Sequence, residues 1–516
     1  MASIAAASSL SRCGDVPCFT NGLWTIYGRD YSYLYAQPSA ITYPTFTKIA
    51  FIPHPSNGPL AAWLGFPGGL VSNTEAADSD MYEELLAYFA QITPDETLLQ
   101  QFGDLPWISS SLEMRHKGPT GLRPYSLEIL PRREFECALV SYTTLKNFWN
   151  LECKMPSIVP LKELKIEAYI HDYVAIVSLP FAAGHYTLKT NPKPHLLYHE
   201  METLLRMAPH PNVLSRPLLV TKATLGSNIY PWDSASRYLS APNRPIVGFL
   251  TEYHEGGTLG AALAADKEVS LRDQARWCRQ LASALAHIQG TRQKDGRCGF
   301  YTDLKLDNIV LSRSRDLILI DFEKAGSWAL YTPPEILSSR PRRASRGSSD
   351  PRFRLSFSEG PTPGRICGIC SPHPCAVPRG SSTAAFDIHM SIFEYKQSPI
   401  NILARENSDR PCLDLRPIHF WDQASDLERE KAMVYMLGCV LWCILERKPC
   451  ISEWTERRVA IRSEEIPGSV KSAVQVAFDL PERRLGLSEM LAVFEEWEQS
   501  LSNCESGLNR DAFSEA

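Results

Sequence analysis

The stretch that decides the reading is Tyr301-Thr302-Asp303-Leu304-Lys305-Leu306-Asp307-Asn308, followed thirteen residues after Asn308 by Asp321-Phe322-Glu323. Between the two parts lie short apolar runs, Ile309 to Leu311 and Leu317 to Ile320, around a turn at Ser314-Arg315. Apolar runs on either side of a polar turn predict a hairpin. The ends of a hairpin lie close together, so Asp303, Lys305, Asn308 and Asp321 are expected to converge. Such a set offers a carboxylate to accept a proton, an ammonium to sit against an anion, and the oxygen ligands that a hard divalent cation takes. Asp303 by itself is ordinary turn chemistry; the constellation is what gives it weight.

Phosphoryl transfer asks a protein mainly for positioning and charge neutralisation, and these four groups supply both. The segment resembles the catalytic loop and metal-binding motif of eukaryotic protein kinases, H-R-D-L-K-x-x-N and D-F-G. Other landmarks fall in the family's order over about residues 160–500. Pro333-Pro334-Glu335 resembles A-P-E. His199-Glu200 through Leu204, then His210-Pro211-Asn212-Val213, look like the helix that carries the ion-pair glutamate and the turn after it. Thr251-Glu252-Tyr253-His254-Glu255-Gly256-Gly257 looks like the hinge, with Thr251 as gatekeeper. Arg483 looks like the arginine that pairs with the A-P-E glutamate. In style the motifs are similar to those of divergent fungal serine/threonine kinase-like proteins.

The resemblance implies ATP and Mg²⁺ as cofactors and assigns roles residue by residue. Asp303 would orient the acceptor hydroxyl and take its proton, and Lys305 would sit against the transferred group. Asn308 and Asp321 would hold Mg²⁺. Lys189 would contact the α- and β-phosphates and pair with Glu200, while Glu252 and His254 would line the nucleotide site. A lysine two residues after the base is the serine/threonine pattern, so a protein hydroxyl is the expected acceptor.

Outward from this stretch, the sequence predicts an α+β chain with a two-lobed, protein-kinase-like part. Five strands and a helix make the small lobe, 156–255: two strands in Ile166 to Leu179 with a turn at His171-Asp172, then His185 to Lys189, Pro217 to Thr221 and Ile246 to Tyr253. The helix is Leu196 to Ala208, with Leu197, Met201, Leu204 and Ala208 on one face. The large lobe, 256–500, is mostly helical. One helix opens at Ser270-Leu271-Arg272-Asp273 and runs to about Gly290. Another is the apolar run Ala432 to Leu445, too short to span a bilayer; a third covers Gly468 to Phe478. Residues 1–155 read as an additional α/β region of unassigned role. Its strand-like runs are Leu23 to Tyr27 and Thr47 to Ile52, and its candidate helix is Glu75 to Ile92. Residues 501–516 form a tail.

The segment from about 338 to 425 interrupts the large lobe and is expected to be a disordered insert, because Ser339 to Ser382 is dense in Ser, Pro, Arg and Gly with few large apolar residues. Within it Cys367, Cys370, His373 and Cys375 offer four soft ligands in nine residues. Structural zinc usually draws on two separated pairs, and no second pair lies nearby. The run Arg340 to Arg354 is a candidate basic patch, more simply read as a solvated one.

Composition narrows the rest. A net charge of −5 over 516 residues argues against nucleic acid or an anionic membrane as the main partner. The 44% hydrophobic content supports a packed core. Fourteen cysteines without close, even spacing fit a reducing compartment. Met1 to Leu10 has no basic n-region, so the expected location is intracellular, cytoplasmic or nuclear.

Four positions depart from the family pattern. Ile166 to Leu179 contains no glycine, although glycines there let backbone N–H groups approach phosphates. Thr302 replaces the arginine that grips a phosphorylated activation loop. Met433 stands where the family has an aspartate bracing the catalytic loop, and Glu323 replaces the metal-motif glycine. Two readings therefore stand: an active serine/threonine protein kinase, and a pseudokinase acting as a nucleotide-binding or interaction scaffold. A kinase-fold enzyme acting on a small-molecule hydroxyl is a third, which the A-P-E glutamate and its arginine argue against.

Overall fold

The computed structural model describes residues 19–30, 33–44, 48–52, 86–87, 89–90, 110–116, 125–131, 139–151, 155–171, 173–191, 194–221, 244–265, 269–293, 296–323, 331–338, 421, 423–449 and 460–514. Several expectations fall outside them: the whole of 339–420 with Cys367, Cys370, His373 and Cys375, the turn residue Asp172, and most of Glu75 to Ile92. The architecture is mixed α+β, in two compact units. The first takes in the described residues of Met1–Pro209 and Leu214–His254, the second those of His210–Val213 and Glu255–Ala516.

The first unit contains two sheets, each with six strands among the described residues. The N-terminal sheet runs in chain order: β1 (Phe19–Thr20), β2 (Trp24–Asp30), β3 (Tyr33–Pro38), β4 (Lys48–Ile52), β5 (Ser110–His116) and β6 (Tyr125–Pro131). Neighbours are antiparallel except β4 and β5. Trp24 and Ile26 alternate inward, as period-two burial requires, and Trp24 packs on Phe89 at 4.9 Å. Helix α1 (Tyr142–Trp149) follows, capped by the Ser141 side chain accepting from the Thr144 N–H.

The second sheet has strand order β7-β11-β12-β10-β9-β8. Its members are β7 (Ile158–Pro160), β8 (Lys165–His171), β9 (Val174–Leu179), β10 (Ala182–Thr190), β11 (Leu218–Thr221) and β12 (Ile246–Glu252). Five were expected. The sixth, β7, is three residues pairing parallel to β11, with Leu219 opposite Ile158. A triplet ending in proline is too short to show alternation, and proline fits only at such an edge. Val159, Val177, Leu188, Val220, Val247 and Leu250 form one core on this sheet. The N-terminal region packs onto the same unit: Tyr27 meets Tyr169 edge-on at 4.9 Å, and the Ile166 N–H donates to the Thr42 carbonyl.

Helix α2 (Pro194–Arg206) buries Leu197, Glu200, Met201 and Leu204. These spacings of three and four residues define one helical face. Glu200 is the member of that stripe that needs a partner.

The second unit is mostly helical. Its elements are α3 (Leu259–Ala264), α4 (Leu271–Gly290), β13 (Ile309–Leu311), β14 (Leu317–Leu319), α5 (Pro334–Ser338), α6 (Asp426–Glu446), α7 (Gly468–Ala477) and α8 (Leu487–Ser514). Helix α4 begins where expected, with the Ser270 side chain accepting from the Asp273 N–H. It packs against α8 and α6 and buries Ala275, Cys278, Ala282, Leu285 and Ile288 along one face. Full burial of a leucine-sized side chain contributes about 1.5–3 kcal/mol, so this face anchors the unit. Gln274 is also buried there, and its amide donates to the carbonyls of Ile444 (2.7 Å) and Leu445 (3.2 Å) in the last turn of α6. Helix α6 starts with a reciprocal cap between Ser425 and Glu428. It is buried nearly all round, as its apolar sequence demands. Among the described residues no helix is long and apolar enough to cross a membrane.

Candidate functional site

In the second unit, the chain from Tyr301 to Asn308 alternates between core and site. Leu304 and Leu306 are buried and pull the segment against the unit's interior. Asp303 and Lys305 are thereby turned to the other side. A 3₁₀ turn, Leu306–Asn308, then leads into β13. Strands β13 and β14 pair antiparallel, with Ile309 opposite Leu319. One further backbone bond closes the site: the Ile320 N–H donates to the Asn308 carbonyl at 3.0 Å, which sets Asp321 beside Asn308. Two glycines fit the hairpin to its neighbour. A Cβ on Gly256 would lie 2.4 Å from the Leu311 carbonyl oxygen, and Gly257 has φ +70°.

The side chains converge. Lys305 Nζ lies 2.7 Å from Asp303 Oδ2. Asn308 Nδ2 donates to the same oxygen at 3.0 Å and to the Asp303 carbonyl at 2.8 Å. Burial pushes the Asp303 carboxyl above the usual carboxylate range; Lys305 opposes this, the Asp321 charge adds to it, and the bond from Asn308 opposes it. Asp303 is thus a largely buried carboxylate held by two donors. Asp321 has φ +65°, the left-handed region that residues other than Gly, Asn and Asp seldom hold. Such a conformation persists only where the surroundings impose it, and it clusters at functional sites. Both of these bonds use the NH₂ group of the Asn308 side chain, so what it offers a cation is the amide oxygen. With the Asp321 carboxylate this is a hard, oxygen-only donor pair that suits Mg²⁺.

Beneath the loop, the Tyr301 N–H donates to Met433 Sδ at 3.3 Å. The position expected to lack a brace therefore has a weak one. Thr302 is buried. The glutamate of the Pro-Pro-Glu motif has its arginine, but a different one from that expected. Glu335 Oε2 accepts from Arg484 Nη2 at 3.1 Å, and Glu335 Oε1 accepts from Arg484 Nη1. Arg484 is buried, also donates to the Asp479 and Lys431 carbonyls, and lies over the Tyr435 ring at 5.0 Å. Arg483 is exposed in the short 3₁₀ turn Pro481–Arg483. Adjacent arginines look alike in sequence; the turn geometry sends only the second inward.

In the first unit, Lys189 lies on β10 opposite Phe249 of β12. Leu188 belongs to the sheet's core, so strand alternation turns Lys189 to the other face. There Lys189 Nζ meets Glu200 Oε2 of α2 at 2.7 Å, with Glu200 wholly buried and Lys189 14% exposed. Glu252 ends β12 with its side chain exposed. Thr251, beside it, is buried. Burial lowers the His254 pKa while Glu252 pulls it up, and its buried Nε2 has no hydrogen-bond partner among the described residues.

Compared with known proteins, the chain matches no family model and no curated protein.

Proposed function

We propose that the chain is a serine/threonine protein kinase that transfers the γ-phosphate of ATP to a protein hydroxyl, with Mg²⁺ as cofactor. One observation carries this reading: Asp303 is a largely buried carboxylate bonded to Lys305 and Asn308, with Asp321 in a left-handed conformation beside them. In this reading Asp303 orients the acceptor hydroxyl and receives its proton. Its raised pKa makes it a better base than an exposed aspartate at neutral pH. Lys305 neutralises charge on the transferred group. Asn308 and Asp321 are the residues that would hold Mg²⁺, which would supply charge neutralisation on the phosphate oxygens. The buried Lys189–Glu200 pair is the candidate contact for the α- and β-phosphates, and Glu252 and His254 are the candidate nucleotide-lining residues.

A second reading, a nucleotide-binding or interaction scaffold with a pseudokinase site, is favoured by one feature. Strands β8 and β9 contain no glycine, and side chains there keep backbone N–H groups further from phosphates. The two readings separate in a thermal-shift titration of the full chain with ATP, with and without Mg²⁺, followed by a turnover assay. The kinase reading expects Mg²⁺-dependent stabilisation and turnover. Stabilisation without turnover supports the scaffold reading, and no stabilisation removes nucleotide binding from both.

A further inference from the structure

Residues 140–150 lie before the stretch whose sequence reads as the small lobe, 156–255, yet bonds at both ends tie them to α2, the helix that carries Glu200. At the first end the chain runs antiparallel to the start of β12, with Ser141 opposite Pro245. In an antiparallel pair, two facing residues can exchange both backbone bonds. Val140 and Ile246 share one directly: the Ile246 N–H donates to the Val140 carbonyl at 2.9 Å. The other is relayed through Tyr198 of α2. The Val140 N–H donates to Tyr198 Oη at 2.9 Å, and that hydroxyl donates to the Ile246 carbonyl at 2.8 Å. Three segments thus meet in one closed ring of hydrogen bonds. Burial pushes the Tyr198 phenol well above its ordinary range, so the hydroxyl keeps the proton that it donates.

At the other end, the carbonyl of Trp149, the last residue of α1, accepts from Arg206 Nη2 at 2.6 Å. A guanidinium there suits the negative end of a helix. Glu202, one turn back on α2, accepts from Arg206 Nη2 at 2.7 Å and Nε at 3.0 Å, which aims the guanidinium. Leu145 and Trp149 of α1 are buried. Tyr198 and Glu200 are about 200° apart around a 3.6-residue helix. The relay therefore grips α2 on the side away from the Lys189–Glu200 pair.

We propose that residues 140–150 are a strap on α2, and that Tyr198 and Arg206 are positioning residues that hold the helix where Glu200 meets Lys189. The strap fastens α2 near its start and at its last residue, so the helix can neither turn nor withdraw while both fastenings hold. Release of either one lets Glu200 move with the helix. The segment ahead of residue 156 is then part of the device that sets the ion pair. Its consequence for nucleotide rests on the kinase reading, whereas the strap and its effect on the pair do not.

The test is Tyr198→Phe, which keeps the ring and removes the relay, beside Arg206→Ala, which removes the other fastening. Ser270→Ala is the control: it deletes the cap of α4 in the other unit, a loss of similar scale. Backbone amide exchange is measured first, on the full-length protein without nucleotide. Tyr198→Phe is expected to speed exchange about tenfold over both 140–150 and 194–206, the scale of one lost buried hydrogen bond. Ser270→Ala should leave both segments unchanged. The rate at which an amine-acylating reagent labels Lys189 is measured second, also without nucleotide. It should rise about threefold or more in Tyr198→Phe and Arg206→Ala, and stay at the wild-type rate in Ser270→Ala. A merely structural tyrosine would lower stability without exposing that amine. Exchange in the two segments that matches wild type in Tyr198→Phe, or rises equally in Ser270→Ala, overturns the strap. Faster exchange with unchanged Lys189 labelling overturns the positioning of Glu200. Mg-ATP affinity, measured last, should fall in both strap variants; a wild type that binds no Mg-ATP removes the kinase reading instead, and the first two measurements still decide the proposal.

Discussion

The backbone N–H of Tyr301 and the thioether of Met433 face each other at 3.3 Å, one at the head of the segment that carries Asp303 and the other inside α6. A thioether is a weak acceptor, yet a buried N–H with no acceptor costs about 1–3 kcal/mol. Met433→Leu keeps volume and hydrophobicity, and such swaps usually cost under about 1.5 kcal/mol. It also removes the acceptor. We therefore expect Met433→Leu to destabilise the chain by about 1 kcal/mol more than Met436→Leu, a buried methionine of the same helix. Denaturant unfolding of the two variants measures the difference, and equal losses would remove the sulfur as a partner.

Arg484 and Glu335 make a two-pronged ion pair with the guanidinium buried. Removing one partner of a buried pair strands the other and typically costs about 3–5 kcal/mol. Arg484→Ala should be affected on that scale, while Arg483→Ala stays within about 0.5 kcal/mol of wild type. Midpoints of thermal or denaturant unfolding give the comparison. The opposite ranking would restore Arg483 as the partner.

The raised pKa of Asp303 makes a signed statement about pH. The folded chain holds that proton more tightly than the unfolded chain does. The stabilising contribution of Asp303 is therefore present below the unfolded value and is lost as pH rises through the folded value. At neutral pH the buried charge costs stability. Asp303→Asn lacks that slope, so it should be at least as stable as wild type at pH 7, with the gap closing as pH falls towards 4. Unfolding free energy against pH for both proteins checks this. A variant clearly weaker than wild type at pH 7 would mean that the bonds from Lys305 and Asn308 outweigh burial.

Much of this arrangement was legible in the sequence where one signal dominated. Helix α4 was marked by its N-terminal serine and the three-and-four spacing of its apolar residues, and α6 by an uninterrupted apolar run. The hairpin of β13 and β14 was marked by short apolar runs around Ser314-Arg315, and it is what brings Asp303 and Asp321 together. What sequence missed depends on direction in space. Strand β7 is too short for alternation to show, and its role comes from pairing with residues 61 positions further on (Ile158 with Leu219). Arg483 and Arg484 differ only in which way a 3₁₀ turn points them. Met433 read as the loss of a brace because its sulfur has no polar signature. The Tyr198 hydroxyl was passed over because its partners are a backbone N–H 58 residues back and a backbone carbonyl 48 residues on, which residue types do not reveal.

The most direct measurement of the central claim is phosphate transfer from Mg-ATP, to the chain itself and to basic and acidic peptides, by wild type, Asp303→Asn and Asp321→Asn, with nucleotide binding measured alongside. Wild type is expected to transfer phosphate. Asp303→Asn should lose about 10²–10⁴ in rate with nucleotide affinity nearly unchanged, because its carboxylate serves the acceptor hydroxyl. Asp321→Asn should lose both Mg²⁺-dependent binding and transfer. A wild-type chain that binds Mg-ATP, transfers nothing, and is unaltered by Asp303→Asn would contradict the account and leave the scaffold reading in its place.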